Sequence, residues 1–293
     1  MIVNAANLAG IYKSFSTIFN KAFTEAENQW SIVAMFSPSE GRSLDYKWLG
    51  NFPKLREWIG ERVVKSLEGF HYELTNKPYE GTVAVDRDDI ADDQIGVYSP
   101  MVSEMGRSAK VHPDEMIFSL LANGNSTTCF DGQKFFSTTH KVAGSNVSNW
   151  GAGSSNIWAL LDCTRAIKPF IYQGRTGPQL IQMDDPRTSE HVFMKKEYLY
   201  GVDYRGSFGV GLWQLAYGSK QTLNATQYAA ARKAMLSFKN DEGAPLGIKP
   251  SHLIVGPANE EAGREILLAE RNDAGATNVW RNSAELIVVP WLD

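Results

Sequence analysis

The sequence predicts an α+β fold, and three stretches carry the prediction. Between Leu8 and Trp30, apolar residues return at helical spacing. From Asp86 to Gly124 an acidic opening leads into a long helical pattern, which an aromatic fragment follows up to His140. After Thr222, strong helix formers alternate with short apolar runs that suit buried strands.

In the first stretch Ile11, Phe15, Ile18, Phe19, Ala22, Phe23 and Ala26 form one aromatic-rich stripe on a polar helix. Such a helix docks, either on the chain's own core or on a neighbouring subunit. Ser37 to Ser43 is a breaker segment. Leu44 to Asp86 holds Trp48, Phe52, Trp58, Phe70 and Tyr72 between interrupting Gly and Pro residues, the pattern of an extended excursion. Phe70, Tyr72 and Leu74 alternate with polar residues, Asn76-Lys77-Pro78 reads as a turn, and Thr82 to Asp86 alternates again, so a β-hairpin is expected. Two strands alone are marginal and need a surface to lie on.

Asp86, Asp88, Asp89, Asp92 and Asp93 lack the spacing of a calcium loop, and carboxylates suit a helix start. Ser99-Pro100 begins a helix afresh, with Met101, Met105 and Ala109 continuing its stripe. His112-Pro113 reads as a second joint, and Asn123-Gly124 ends the helix. Strands are expected at Lys134–Phe136, Ile157–Leu161, Ile167–Gln173, Val192–Met194, Tyr198–Val202 and Leu212–Tyr217, with Lys141 to Asn156 a surface loop. Gly206, Gly209 and Gly211 suit a bent or bulged strand. Asn224 should cap a helix over Thr226–Phe238, followed by a strand at His252–Val255, a helix from Asn259 to Asn272 and a strand at Leu286–Val289.

The 293 residues, 43% hydrophobic and 21% charged, can bury a sizeable core in one large domain or two coupled ones. Thirty-three acids against twenty-nine bases leave a net charge of −4, which disfavours tight binding to duplex nucleic acid. No apolar run approaches the roughly eighteen residues of a membrane span, and no secretory signal opens the chain. Cys129 and Cys163 lack the spacing of a zinc site or a disulfide framework. No metal or cofactor is expected.

Cys129, Asp131 and His140 could supply a nucleophile, an orienter and a base, which keeps a Cys/His hydrolase as an alternative. Sequence proximity is its sole support, and a small cysteine before an Asp-Gly turn more often serves packing. A nucleophile elbow, a phosphate-cradling loop and a dinucleotide fingerprint are all missing from the sequence. Trp48, Trp58, Trp150 and Trp280 lack an accompanying basic stripe and read as core or interface anchors.

Seven fragments spread along the chain carry a resemblance: M-I-V-N-A-A-N-L-A-G-I-Y-K-S-F, T-N-K-P-Y-E-G-T-V-A-V-D-R-D-D-I, H-P-D-E-M-I-F-S-L-L-A-N-G, F-D-G-Q-K-F-F-S-T-T-H, L-Y-G-V-D-Y-R, W-Q-L-A-Y-G-S-K-Q and P-L-G-I-K-P-S-H-L-I-V-G-P. The sequence resembles the major head subunits of Mu-like bacteriophages and prophages, the gpT family. The resemblance implies a Hong Kong 97-type capsid fold: an N-terminal arm (1–43), an extended loop (44–88), a peripheral domain with a long spine helix (89–221) and an axial domain (222–293), with the strands at 157–219 departing from the usual layout. It further implies a protein without enzymatic activity that self-assembles into hexamers and pentamers of an icosahedral virion shell in the bacterial host cytoplasm. Packaged double-stranded DNA would be held without sequence-specific contacts. A separate scaffold, a portal and a decoration protein are the implied partners, the shell is expected to be non-covalent, and the chain is expected to be used unprocessed. An encapsulin-like compartment shell is the alternative on the same fold. Phe15, Phe19, Phe23, Trp48, Trp58, Phe70 and Tyr72 are the candidate intersubunit anchors, since buried aromatics dominate interface energy.

Overall fold

The computed structural model describes residues 4–49, 71–92, 94–185, 189–240, 242–272 and 274–293. Helix α1 (Ala5–Glu25) begins where the Asn4 side chain accepts the Asn7 N–H, and its stripe Leu8, Ile11, Phe15 and Phe19 is buried. Each of these side chains contributes about 2 kcal/mol on burial. After α2 (Trp30–Val33) come β1 (Ala34–Pro38), β2 (Ser43–Asp45), β3 (Glu73–Thr75) and β4 (Lys77–Asp86). Helix α3 (Arg87–Ala91) is capped by the Asp86 carboxylate, and a 3-10 turn at Ile95–Tyr98 leads into α4 (Ser99–Ala122). Strands β5 (His140–Val142), β6 (Ser145–Val147), β7 (Trp150–Gly151), β8 (Trp158–Leu161) and β9 (Phe170–Met183) follow. Next come α5 (Glu190–Lys195), β10 (Glu197–Val210), β11 (Ala216–Ser219), α6 (Ala225–Leu236), β12 (His252–Val255), α7 (Glu260–Leu267) and β13 (Glu285–Val288).

Two sheets organise these elements. One has the order β1-β9-β10-β4, with β1 parallel to β9 and β10 antiparallel to both its neighbours. The other has the order β13-β12-β8-β11-β7. Strands β9 and β10, 14 residues each, run about 45 Å. At one end Phe170, Ile171 and Val210 join the main core; at the other Leu180, Tyr198, Tyr200 and Val202 join a smaller core beneath α1. Helix α4 spans the same two cores, with Val102 and Ala109 in the smaller and Ile117, Phe118 and Leu121 in the larger. It is the expected spine, begun afresh at Ser99, but it runs through Pro113 unbroken, so the second joint is not a break.

Several expectations are corrected. The hairpin across Asn76-Lys77-Pro78 does not form: β3 pairs with β2, β4 pairs with β10, and the chain passes from one ladder to the other at Asn76. The excursion still has an antiparallel root, while its expected tip with Trp58 and Phe70 lies outside the described residues. Val192–Met194 is helical, because Ser189 caps α5 and Lys196, in the left-handed region at φ 58°, ends it. Lys134–Phe136 contributes only an isolated bridge, Thr128 to Lys134. The loop at 141–156 contains the β5–β6 hairpin, which turns at Ala143 and Gly144 with φ of 48° and 80°. Leu212–Tyr217 begins as a 3-10 turn before β11.

In α4 the buried face is Val102, Gly106 and Ala109, one residue round from the expected Met101 and Met105 stripe. Helix α7 stops at Leu267 rather than Asn272, because the Asn278 amide takes the carbonyls of Glu265, Ile266 and Ala269. Other expectations hold. Asn224 caps α6 through the Gln227 N–H, and β10 carries register shifts between Asp203 and Gly206. A boundary at residue 222 is not followed by the hydrogen bonding, since β7, β8 and β11 share one sheet with β12 and β13.

Candidate functional site

Of Cys129, Asp131 and His140, the structure joins the last two, and it does so in a structural knot. Asp131 sits on the tight turn before Gly132 (φ 76°) and accepts the Gln133 N–H. Its Oδ2 lies 2.6 Å from Nδ1 of His140, which is fully buried at the start of β5. The other ring nitrogen lies 3.3 Å from the Phe135 carbonyl, and the imidazole stacks on Trp213 at 4.0 Å. Neither nitrogen faces the thiol, which donates to the Gly211 carbonyl at 3.6 Å. Burial, with the Asp131 charge adding to it, pushes the Cys129 thiol far up. A nucleophilic cysteine requires the opposite environment, so the geometry gives the hydrolase reading no support.

The centre of this knot is a residue that sequence reasoning missed. Fully buried Asn149 donates to the carbonyls of Phe135, Trp213 and Ala216 and accepts the Ser137 N–H. It ties the segment after α4 to the sheet holding β11. A lone Asn in a Gly/Ser/Asn-rich run carries no sequence signal for such a role.

The expected anchors divide. Phe15 meets Tyr200 edge-on at 5.0 Å, and Phe19 stacks on Phe23 at 6.2 Å, with the Lys110 ammonium 5.1 Å from the Phe23 ring. Phe15 and Phe19 expose 1% and 2% of their surface, so they present nothing to a neighbour: α1 docks on its own chain. Phe23, Trp48 and Tyr72 remain half-buried. Trp48 meets Tyr46 edge-on at 6.1 Å. The Tyr72 hydroxyl accepts the Val210 N–H, and burial pushes its pKa up to about 12. Trp150 stacks on Phe136 and Trp280 meets Tyr228 edge-on, as core partners.

A second buried polar cluster fixes the root of the excursion. Tyr46 donates to Gln173, whose amide donates to the Leu74 carbonyl and to Asn76; Asn76 in turn donates to Ser39 and to the Gly41 carbonyl. Gln173 is fully buried, and Asn76 and Ser39 nearly so, which makes each of these bonds costly to lose. The arm is fixed in a similar way. On α4, buried Asp114 accepts the N–H groups of Gln29 and Trp30. Among the described residues, no group of three or more His, Cys, Asp or Glu is placed to hold a metal ion, and no helix is long and apolar enough to cross a membrane. The geometry is that of a packed body in which buried polar side chains fix the segment after α1 and the root of the excursion.

Comparison with known proteins gives this body a context. The family model of the Mu-like prophage major head subunit gpT matches residues 8–292. The chain is 39% identical to the major capsid protein of Escherichia phage Mu over 310 aligned positions, covering 100% of both chains. It superimposes on a chain from the procapsid of bacteriophage JBD30 with a TM-score of 0.88 at 40% identity, covering 99% of this chain and 100% of that one. It also matches the JBD30 capsid decorated with minor capsid protein trimers, with a TM-score of 0.79 at 32% identity over 90% of this chain and 91% of that one. The α+β architecture is the expected capsid fold, and the chain belongs to the Mu-like prophage major head subunit gpT family.

Proposed function

We propose that this chain is the major subunit of a phage head, self-assembling into hexamers and pentamers of an icosahedral shell that encloses double-stranded DNA. The observation that carries the reading is the match over essentially the whole length to a phage major capsid protein, joined to the fold of a procapsid chain. Shells tile through heterologous contacts, which close into rings around a symmetry axis.

In this reading the loop (44–88) is pinned at its root by the Gln173–Asn76 cluster and reaches across a neighbour, while the arm (1–43) is held on its own body by the α1 stripe and by Asp114. Half-buried Phe23, Trp48 and Tyr72, with Trp58 and Phe70, supply apolar contacts. The peripheral part is α1, α4 and the long sheet, and the axial part draws β7, β8 and β11 to the segment 222–293. A separate scaffold, a portal and a decoration protein are its partners, the last by likeness to the decorated JBD30 capsid. The acidic balance of −4 suits a container that confines DNA with few contacts.

Electron microscopy of the full chain tests the reading. Closed shells or rings are expected, and a chain that stays monomeric at every concentration refutes it.

A further inference from the structure

The two cores leave a waist between them, and each of the three long elements that cross it is irregular there. On α4 the smaller core ends at Ala109 and the larger begins at Ile117. Pro113 lies between them and has no N–H, so the Ala109 carbonyl loses its intrahelical donor. On β10 the smaller core ends at Val202 and the larger resumes at Val210, with the register shifts of 203–206 in between. On β9 the pairing with β10 skips from Thr176 to Gln179, across Gly177 and Pro178.

One cluster ties the helix to the sheet at this level. His112 turns Nδ1 to the Tyr204 hydroxyl, and its ring lies 4.8 Å from that of Tyr79 and 6.2 Å from that of Phe208. Tyr79 and Tyr204, register partners on β4 and β10, stack at 4.9 Å. Tyr204 is 5% exposed yet joins neither core, so this cluster is its packing. A neutral imidazole accepts the Tyr204 O–H at Nδ1. An imidazolium sets N–H against O–H, and the phenol can then accept only by turning its own proton into the neighbouring rings.

We infer that the waist is a built-in joint: the neutral His112–Tyr204 pair holds α4 on β10, and a proton on the imidazole frees the two cores to shift against each other while each stays packed. The groups around His112 give that proton little support. From the sheet it faces the phenols of Tyr79 and Tyr204, with Tyr172 of β9 stacked behind Phe208. On its own helix Glu115 is exposed, Lys110 lies over the Phe23 ring, and Asp114 is taken by the N–H groups of Gln29 and Trp30. Burial outweighs the Glu115 charge and lowers the His112 pKa from its usual 6.5. The lock is therefore complete above that pH and weakens as pH falls below it.

Amide exchange of the unassembled full chain at about pH 7.5 and about pH 5.5, corrected for the intrinsic pH dependence of exchange, tests the joint. Amides 110–112 and 204–206 should exchange about fivefold faster at the lower pH, the effect of one lost hydrogen bond, while Phe118, Leu121 and Tyr200 keep their protection. His112→Gln should abolish the response with the remaining histidines in place. Tyr204→Phe, which keeps the ring stack, should exchange fast at the waist at both pH values. A wild-type waist that exchanges equally at both overturns the inference, and so does protection lost everywhere at once, which is acid unfolding. A full response surviving in either variant overturns it too and assigns the proton to another group.

Discussion

Gly106 and Gly10 make opposite predictions from the same substitution. Both lie inside helices, α4 and α1, where alanine exceeds glycine in helix propensity by about 1 kcal/mol. At Gly10 a Cβ would meet nothing within 4 Å. At Gly106 it would fall 2.5 Å from the Phe19 carbonyl oxygen and 3.2 Å from the Ala22 Cβ of α1. The first of these is a backbone atom, so no rotamer change relieves it and α1 must retreat. Retreat loosens Leu8, Ile11, Phe15 and Phe19, the stripe that builds the smaller core.

Overpacking of this kind costs about 1–3 kcal/mol, which outweighs the propensity gain. Gly10→Ala should therefore stabilise the unassembled chain by up to about 1 kcal/mol, and Gly106→Ala should destabilise it by up to about 2 kcal/mol. Urea unfolding measures both, and amide exchange should show the loss in Gly106→Ala concentrated on α1. A Gly106→Ala chain stabilised as much as Gly10→Ala would refute the close crossing of α1 and α4.

Removing one partner of the buried knot, as in His140→Ala, should destabilise the chain by about 3–5 kcal/mol, read by thermal melting, because Asp131 is left without its counterpart. Cys129→Ala should leave assembly in place, seen by electron microscopy, and native Cys129 should resist thiol reagents until the chain unfolds. Asn76→Ala should cost about 1–3 kcal/mol in urea unfolding and speed proteolysis at the root of the excursion, since the Gln173 amide and the Gly41 carbonyl lose a partner. Tyr72 has its folded pKa raised to about 12 from 10.0, and Tyr46, Tyr200 and Tyr204 shift upward as well. Above pH 10 the unfolded chain therefore loses phenol protons that the folded chain keeps. The stability from these groups is full below that pH and declines as pH rises through the folded values. Phenolate absorbance should appear together with unfolding rather than before it.

The sequence by itself determined what local rules encode. The α1 stripe, the start of α4 at Ser99, the Asn224 cap of α6 and the bulged glycine-rich stretch of β10 rest on residues a few positions apart. Capping, periodicity and glycine chemistry act over that range. The family was legible in the same way, from fragments along the whole chain. Tertiary structure decided which surfaces meet. It turned the expected hairpin at Asn76 into a passage between two ladders, because Gln173, 97 residues away, takes the Asn76 side chain. It made Val192–Met194 helical, brought Asn149 to carbonyls as far away as Ala216, and set Gly106 against α1. It also turned Phe15 and Phe19 from candidate anchors into core and left Phe193 and Met194 outside. Both pairs are apolar, and both lie on helices in the folded chain. Which is buried depends on strands and helices distant in the chain, and no local pattern carries that information.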